Sequence, residues 1–291
     1  MVSFKSSISW CDGTLNAWVG CTPVSAGCDN CYAATLINGP RGAHFGQRFE
    51  DITLKLERLK QIARMTPRRQ SNGQVRPYLC FVNSVSDFWH DDVPEAAIHE
   101  ALDAFEQYPN TVFQILSKRP VRARKIITGR YGNRGVPEHI WFGFSAEDNR
   151  VAGRLNILRK IKERVGSMVA FVSVEPIVGP TDQLDFTGCD WVITGGESGP
   201  KARIMLREWL LGAVSTALKA GIPLWHKQSG RPASHPNWSA APERLGVNAR
   251  FQWLIDNGLE HLPDEKGGAT IDGKTYRQLP AAYDRLTAAL N

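Results

Sequence analysis

Nowhere in these 291 residues does an apolar run approach the roughly 18 positions that a membrane-crossing helix needs, so a helical integral membrane protein is excluded. The opening stretch MVSFKSSISWCDGT has no apolar core of the secretory kind. No signal peptide is therefore expected, and the expected location is cytoplasmic. Low-complexity tracts and blocks of like charge are also missing, which argues against disorder. No Pro- or Ser-rich linker interrupts the chain, so one structural domain is expected. A further absence concerns cysteine. Only one CxxC pair occurs, Cys28–Cys31, whereas structural zinc sites usually bring two.

What is present suits a globular protein with a sizeable core: 42% hydrophobic, 22% charged and 9% aromatic residues. The formal net charge of +6 favours anionic ligands such as nucleotides or nucleic acid. From Tyr78 a rhythm sets in. Apolar runs (YLCFV, TVFQILS, HIWFGFS, MVAFVSV, WVITGG, IPLWHKQ) alternate with segments of helical periodicity such as PEAAIHEALDAFEQYP and RVAGRLNILRKIKERVG. An earlier strand is expected around Asn16–Cys21. Continuous apolar strands alternating with helices imply a parallel sheet covered on both faces. The expected fold is α/β, a partial or complete (β/α) barrel of six to seven units over residues 1–230. Residues 231–291 form a C-terminal extension or cap. A doubly wound open sheet is the alternative.

In such barrels chemistry gathers where strands end. These ends carry Ser84, Ser86, Asp87 and His90; Ser117, Lys118 and Arg119; Ser145 and Glu147; Ser173 and Glu175; Gly195, Gly196 and Glu197; His226 and Lys227. Loops are polar in general and some of these residues cap helices. Glu175 resists that explanation, since it ends an apolar strand where a charge needs a partner or a task.

Cys21, Cys28 and Cys31 fall within eleven positions, while Cys80 and Cys189 sit in apolar runs as core residues. Zinc would need Cys11 as a fourth ligand. An iron–sulfur cluster accepts uneven thiol spacing. With four thiolates the cluster is closed; with three, one iron stays open to a ligand.

The stretch Cys28-Asp-Asn-Cys31-Tyr32-Ala33 at the head of a β/α series resembles the radical S-adenosylmethionine enzymes, although six residues separate Cys21 from Cys28 where three are usual. Across the chain, GCTPVSAGCDNCYA, NSVSDFWHDDVP, FGFSAED, SVEPIVGP, WVITGGESGPKAR, HKQSG and IDGKTYRQLP together resemble a phage and prophage family of unassigned function known for its three-cysteine motif. The first resemblance implies a [4Fe–4S] cluster on Cys21, Cys28 and Cys31, S-adenosylmethionine bound at the open iron, an external electron donor, and hydrogen abstraction from a substrate. It makes Tyr32, Ser84, Ser86, Asp87, Ser145, Glu147, Glu175, Gly195, Gly196 and Glu197 candidates for holding S-adenosylmethionine, and Glu175, Glu197 and His90 catalytic candidates. The second implies a separately encoded three-Cys-motif partner protein and tilts the substrate toward nucleotides or nucleic acid, as in phage DNA modification or photoproduct-lyase-like repair. Two other readings stand beside it. One is a non-enzymatic iron–sulfur or zinc protein with Cys11 as fourth ligand. The other is a hydrolase or nuclease placing Asp87, His90, Glu175 and Glu197 around a divalent metal.

Overall fold

The computed structural model describes residues 2–40, 42, 46–132, 134–199, 201–230, 270, 271 and 274–291, with 240, 242, 244, 245, 253, 256 and 257 between them. Most of the expected 231–291 extension lies outside the described residues. Eight strands form one sheet: β1 (Val2–Ser3), β2 (Gly13–Leu15), β3 (Tyr78–Val82), β4 (Thr111–Ser117), β5 (Ile140–Ser145), β6 (Val169–Val174), β7 (Trp191–Gly195) and β8 (Leu224–Gln228). They lie side by side in chain order. β1 is antiparallel to β2, and every later neighbour is parallel. The sheet curls into a partial β/α barrel.

The strand expected over Asn16–Cys21 is displaced. The sheet strand is β2, and Trp18–Val19 pairs instead with Thr53–Leu54 in a separate antiparallel ribbon. Side chains divert the backbone there. Asn83 Oδ1 accepts from Ala17 N at 3.0 Å, and Asn16 Oδ1 accepts from Val85 N at 3.0 Å, in place of continued ladder bonds.

Helices α2 (Glu95–Glu106), α3 (Pro120–Tyr131), α4 (Gly153–Val165) and α5 (Arg207–Lys219) cover the convex face, and α1 (Tyr32–Asn38) follows the cysteines. Each is amphipathic at helical spacing. In α2 the buried positions are Ala97, Ile98, Ala101, Leu102 and Phe105. Strand side chains alternate between two cores. Tyr78, Cys80, Val82, Phe142, Phe144, Ala170 and Val172 face the helices, while Leu79, Phe81, Val112, Trp141, Val169, Phe171, Trp191 and Ile193 fill the concave side. Trp10 plugs that concave core from below, its ring 4.6 Å from Phe81 and 6.2 Å from Trp191. α6 (Ala281–Ala288) packs there through Ala282. The carboxyl ends of β2–β8 are thereby left as the polar rim. No described helix is long and apolar enough to cross a membrane.

Candidate active site at the cysteine loop

The loop from Gly20 to Cys31 crosses the polar rim. Gly20 has φ +103°, and a Cβ there would stand 2.2 Å from Asp51 O, so only glycine lets the chain turn in this place. Cys21 N donates to Phe49 O at 2.8 Å, Cys28 N to Ser25 O at 2.9 Å and Cys31 N to Cys28 O at 3.2 Å. All three thiols are free and partly exposed. Cys21 and Cys31 pack on a small apolar cluster of Val19, Ala33, Ile37, Phe49 and Val85. Burial pushes the Cys21 thiol up to about 12; Asp87 adds to this and Arg119 opposes it. At neutral pH that thiol keeps its proton until a cation replaces it.

Three sets of anchors hold the loop, each from a different part of the rim. After β5, the buried Glu147 accepts from Ser25 Oγ at 2.5 Å and from Arg154 Nη1 at 2.7 Å, with Lys118 Nζ at 3.7 Å. Gly27 lies so close above it that a Cβ would meet the Glu147 carboxylate at 2.4 Å. After β7, Glu197 accepts from Asn30 Nδ2 at 3.1 Å and from Arg203 N at 2.7 Å. Arg203 continues to Ala26 O at 2.7 Å and Asp29 Oδ2 at 3.1 Å. Burial pushes the Glu197 carboxyl up, but the hydrogen bonds from Arg203 and Asn30 outweigh it and hold the group below its ordinary value.

The third set follows β3 and β4. His90 Nε2 lies 2.9 Å from Thr22 Oγ1, and Arg119 Nη2 donates to Thr22 O at 2.9 Å. Ser86 Oγ donates to Gly20 O at 2.6 Å. Asp87 braces this rim, accepting from Ser117 Oγ at 2.7 Å, Trp89 N at 2.9 Å and Lys118 N at 3.0 Å. Ser84 O accepts from the Tyr32 hydroxyl. Burial pushes His90 below its ordinary value, with the Arg119 charge adding to the effect, so the ring is neutral at pH 7.

A second polar group lines the inside of the rim. Glu175 Oε1 and Lys227 Nζ are 3.0 Å apart, and Ser173 Oγ donates to Glu175 Oε2 at 3.4 Å. Ser145 stands opposite Ser173 in the β5–β6 register. Gly195 makes room for this group, since a Cβ there would meet Glu175 Oε1 at 2.5 Å. Gly196 is spent on closure, its N–H donating to Gln228 O at 2.9 Å. Tyr32 is 51% exposed, yet burial pushes its hydroxyl well above the ordinary phenol range, helped by Cys31, Cys11 and Glu175. Cys11 lies beneath it in the concave core, its thiol pushed up to about 11, chiefly by burial.

The structure thus divides the sequence candidates. Ser84, Ser86, Asp87, His90, Glu147 and Glu197 hold the loop or its base. Glu175 instead groups with Lys227 and Ser173, with Ser145 alongside in register, and Tyr32 is half exposed. Among the described residues no three His, Cys, Asp or Glu side chains converge on a single-ion site. Sequence reasoning passed over Ser25, Asn30, Thr22 and Arg154. Arg154 had a visible signal, an arginine beside the buried stripe Leu155, Leu158, Ile161 and Val165 of α4.

The profile of a family described as a protein of unknown function, DUF5131, matches residues 5–280. No curated protein matches. Among solved structures, a spore photoproduct lyase complexed with dinucleoside spore photoproduct is similar at 15% identity and a TM-score of 0.46, over 74% of this chain and 63% of that one. The chain therefore spans under two thirds of that protein's length.

Proposed function

The chain belongs to the DUF5131 family, and for this member we propose a radical S-adenosylmethionine enzyme whose [4Fe–4S] cluster is held by Cys21, Cys28 and Cys31. The observation that carries the reading is the loop itself. Three thiols free of disulfides share one segment, and rim anchors following β3, β4, β5 and β7 hold that segment across the polar rim. The residues fit such a group on a second count. Arg119 Nε is a buried donor with no partner, on a side chain that touches the loop at Thr22. When bound, the cluster supplies the electron that cleaves S-adenosylmethionine into methionine and a hydrogen-abstracting 5′-deoxyadenosyl radical.

The chain's own residues do the rest. Glu147, Glu197 and Arg203 keep Ser25–Asn30 in one conformation, so that three thiols are preorganised rather than gathered at a cost in loop entropy. Glu175 and Lys227 place adjacent opposite charges at the strand ends, suited to the carboxylate and amine of a methionyl group or to a polar substrate. The apolar cluster of Val19, Ala33, Ile37, Phe49 and Val85 backs Cys21 and Cys31. The formal charge of +6 supports a nucleotide or nucleic-acid substrate. We read an external electron donor and a three-Cys-motif protein as partners.

The test is anaerobic. The full chain is reconstituted with iron and sulfide, reduced with dithionite and given S-adenosylmethionine, and 5′-deoxyadenosine is followed by chromatography. A variant carrying Cys21→Ala, Cys28→Ala and Cys31→Ala runs alongside. Cluster-dependent 5′-deoxyadenosine in the native chain alone is the expected result. A bound cluster whose EPR spectrum ignores S-adenosylmethionine, or stoichiometric zinc with no S-adenosylmethionine binding, overturns the reading.

A further inference from the structure

Arg119 does more than the loop geometry requires. It lies between β4 and α3, where its N–H donates to Ser117 Oγ at 2.8 Å and Pro120 follows. Its side chain is 9% exposed, so a full positive charge has been carried into the base of the cysteine loop. Nη2 donates to both Thr22 O at 2.9 Å and Thr22 Oγ1 at 2.8 Å, which fastens the guanidinium to the residue next to Cys21. The carboxylate within reach, Asp91 Oδ2 at 3.4 Å, belongs to a side chain that is 71% exposed and screened by water. Nε remains buried without an acceptor. A buried charged donor without an acceptor is costly, so this N–H pairs once a thiolate of the loop becomes available to it.

We propose that Arg119 sets the reduction potential of the cluster by donating its spare N–H to the sulfur of Cys21 and placing its charge beside that ligand. The proposal rests on the function proposed above. Arg119 already stands beside that sulfur, since Cys21 Sγ and Arg119 Nη2 both donate to Thr22 O, at 3.5 and 2.9 Å. The step concerned is the transfer of one electron from an external low-potential reductant such as dithionite to the oxidised cluster. Reduction adds negative charge shared by the thiolate sulfurs. A buried cation and a donor at one of them stabilise the reduced form more than the oxidised form and make reduction easier. Arg119 is thus a positioning and tuning residue, since it reaches the chemistry only through Cys21.

The experiment compares reconstituted native protein with Arg119→Gln and Arg119→Lys by EPR-monitored redox titration, with iron content and apo-protein melting measured in parallel. Loss of the cation should disfavour reduction at least tenfold, a shift of about 59 mV to lower potential for one electron. Arg119→Lys keeps the charge without the planar fork and should fall between the two. An unchanged potential in Arg119→Gln with full iron content overturns the proposal. If Arg119→Gln cannot retain iron, the lysine variant decides: a potential equal to the native one, or loss of iron there too, reduces Arg119 to a loop anchor. A native chain that takes up no cluster fails the underlying reading instead, and the iron assay shows this before any potential is measured.

Discussion

At the scale of single residues, charge placement distinguishes an anchor from a ligand-binding group. The Glu147 side chain is 2% exposed, and the Arg154 side chain opposite it is 10% exposed. Breaking such a pair by neutralising one partner leaves the other charge buried, at about 3–5 kcal/mol. Glu147→Gln should therefore lower the melting temperature and the iron bound per chain together. Retained stability and iron with weakened S-adenosylmethionine binding would instead put Glu147 against the ligand. His226 offers a different residue-level test. It lies between Thr194 Oγ1 at 2.9 Å and Ser229 Oγ at 2.6 Å, and burial, with Arg277 adding, brings it down to about 4. The ordinary value is 6.5, so between these pH values the unfolded chain binds the proton more readily than the folded one. Stability is whole above pH 6.5 and is lost as pH falls toward 4. From pH 7 to pH 5 this histidine alone should remove about 2 kcal/mol from apo-protein stability. Urea unfolding at both values, with His226→Gln as the variant lacking that proton, measures it; equal slopes in native and variant proteins would reject the assignment.

At the scale of elements, sequence pattern and structure agree where the physics is local. The apolar runs from Tyr78 onward became β3–β8 because continuous hydrophobic strands can be buried on both faces only in a covered parallel sheet. The stripes of α2 and α4 were legible for the same reason. The first strand was misplaced because Asn16 and Asn83 redirect the backbone through bonds made across more than sixty residues, which no periodicity reveals. The site shows the same division. The three cysteines and the polar strand ends stand out in the sequence by residue type alone. Their sorting into loop anchors and the rest depends on pairs such as Asn30–Glu197 and Ser25–Glu147, separated by 167 and 122 positions. Its place at the end of an apolar strand set Glu175 apart in the sequence; that Glu147 and Glu197 turn to the loop, and Glu175 to Lys227, is visible only in the fold.

At the scale of the whole molecule, the sheet does not close on itself, and β8 would present a bare edge beside the aromatic interior. The two ends of the chain meet there. Tyr276–Gln278 runs along β8, with His226 N donating to Tyr276 O and Gln278 N to Leu224 O, both at 3.0 Å. Ser9, next to the Trp10 plug, accepts from Trp225 Nε1 at 3.1 Å and Arg277 Nη1 at 3.2 Å. Arg277 also donates to His226 O at 2.7 Å and lies 4.9 Å over the Trp225 ring. One side chain thus joins the N-terminal plug, the last strand and the C-terminal segment. Arg277→Ala should cost about 1.5–3 kcal/mol at pH 7, the scale of hydrogen bonds from a charged group. The same charge depresses His226, so its removal lets that ring accept a proton more easily in the folded state. The stability difference between native and Arg277→Ala proteins should therefore shrink as pH falls from 7 to 5. Unfolding curves that stay parallel across that range would mean that the seam and the buried histidine are energetically separate, and that Arg277 acts through its hydrogen bonds alone.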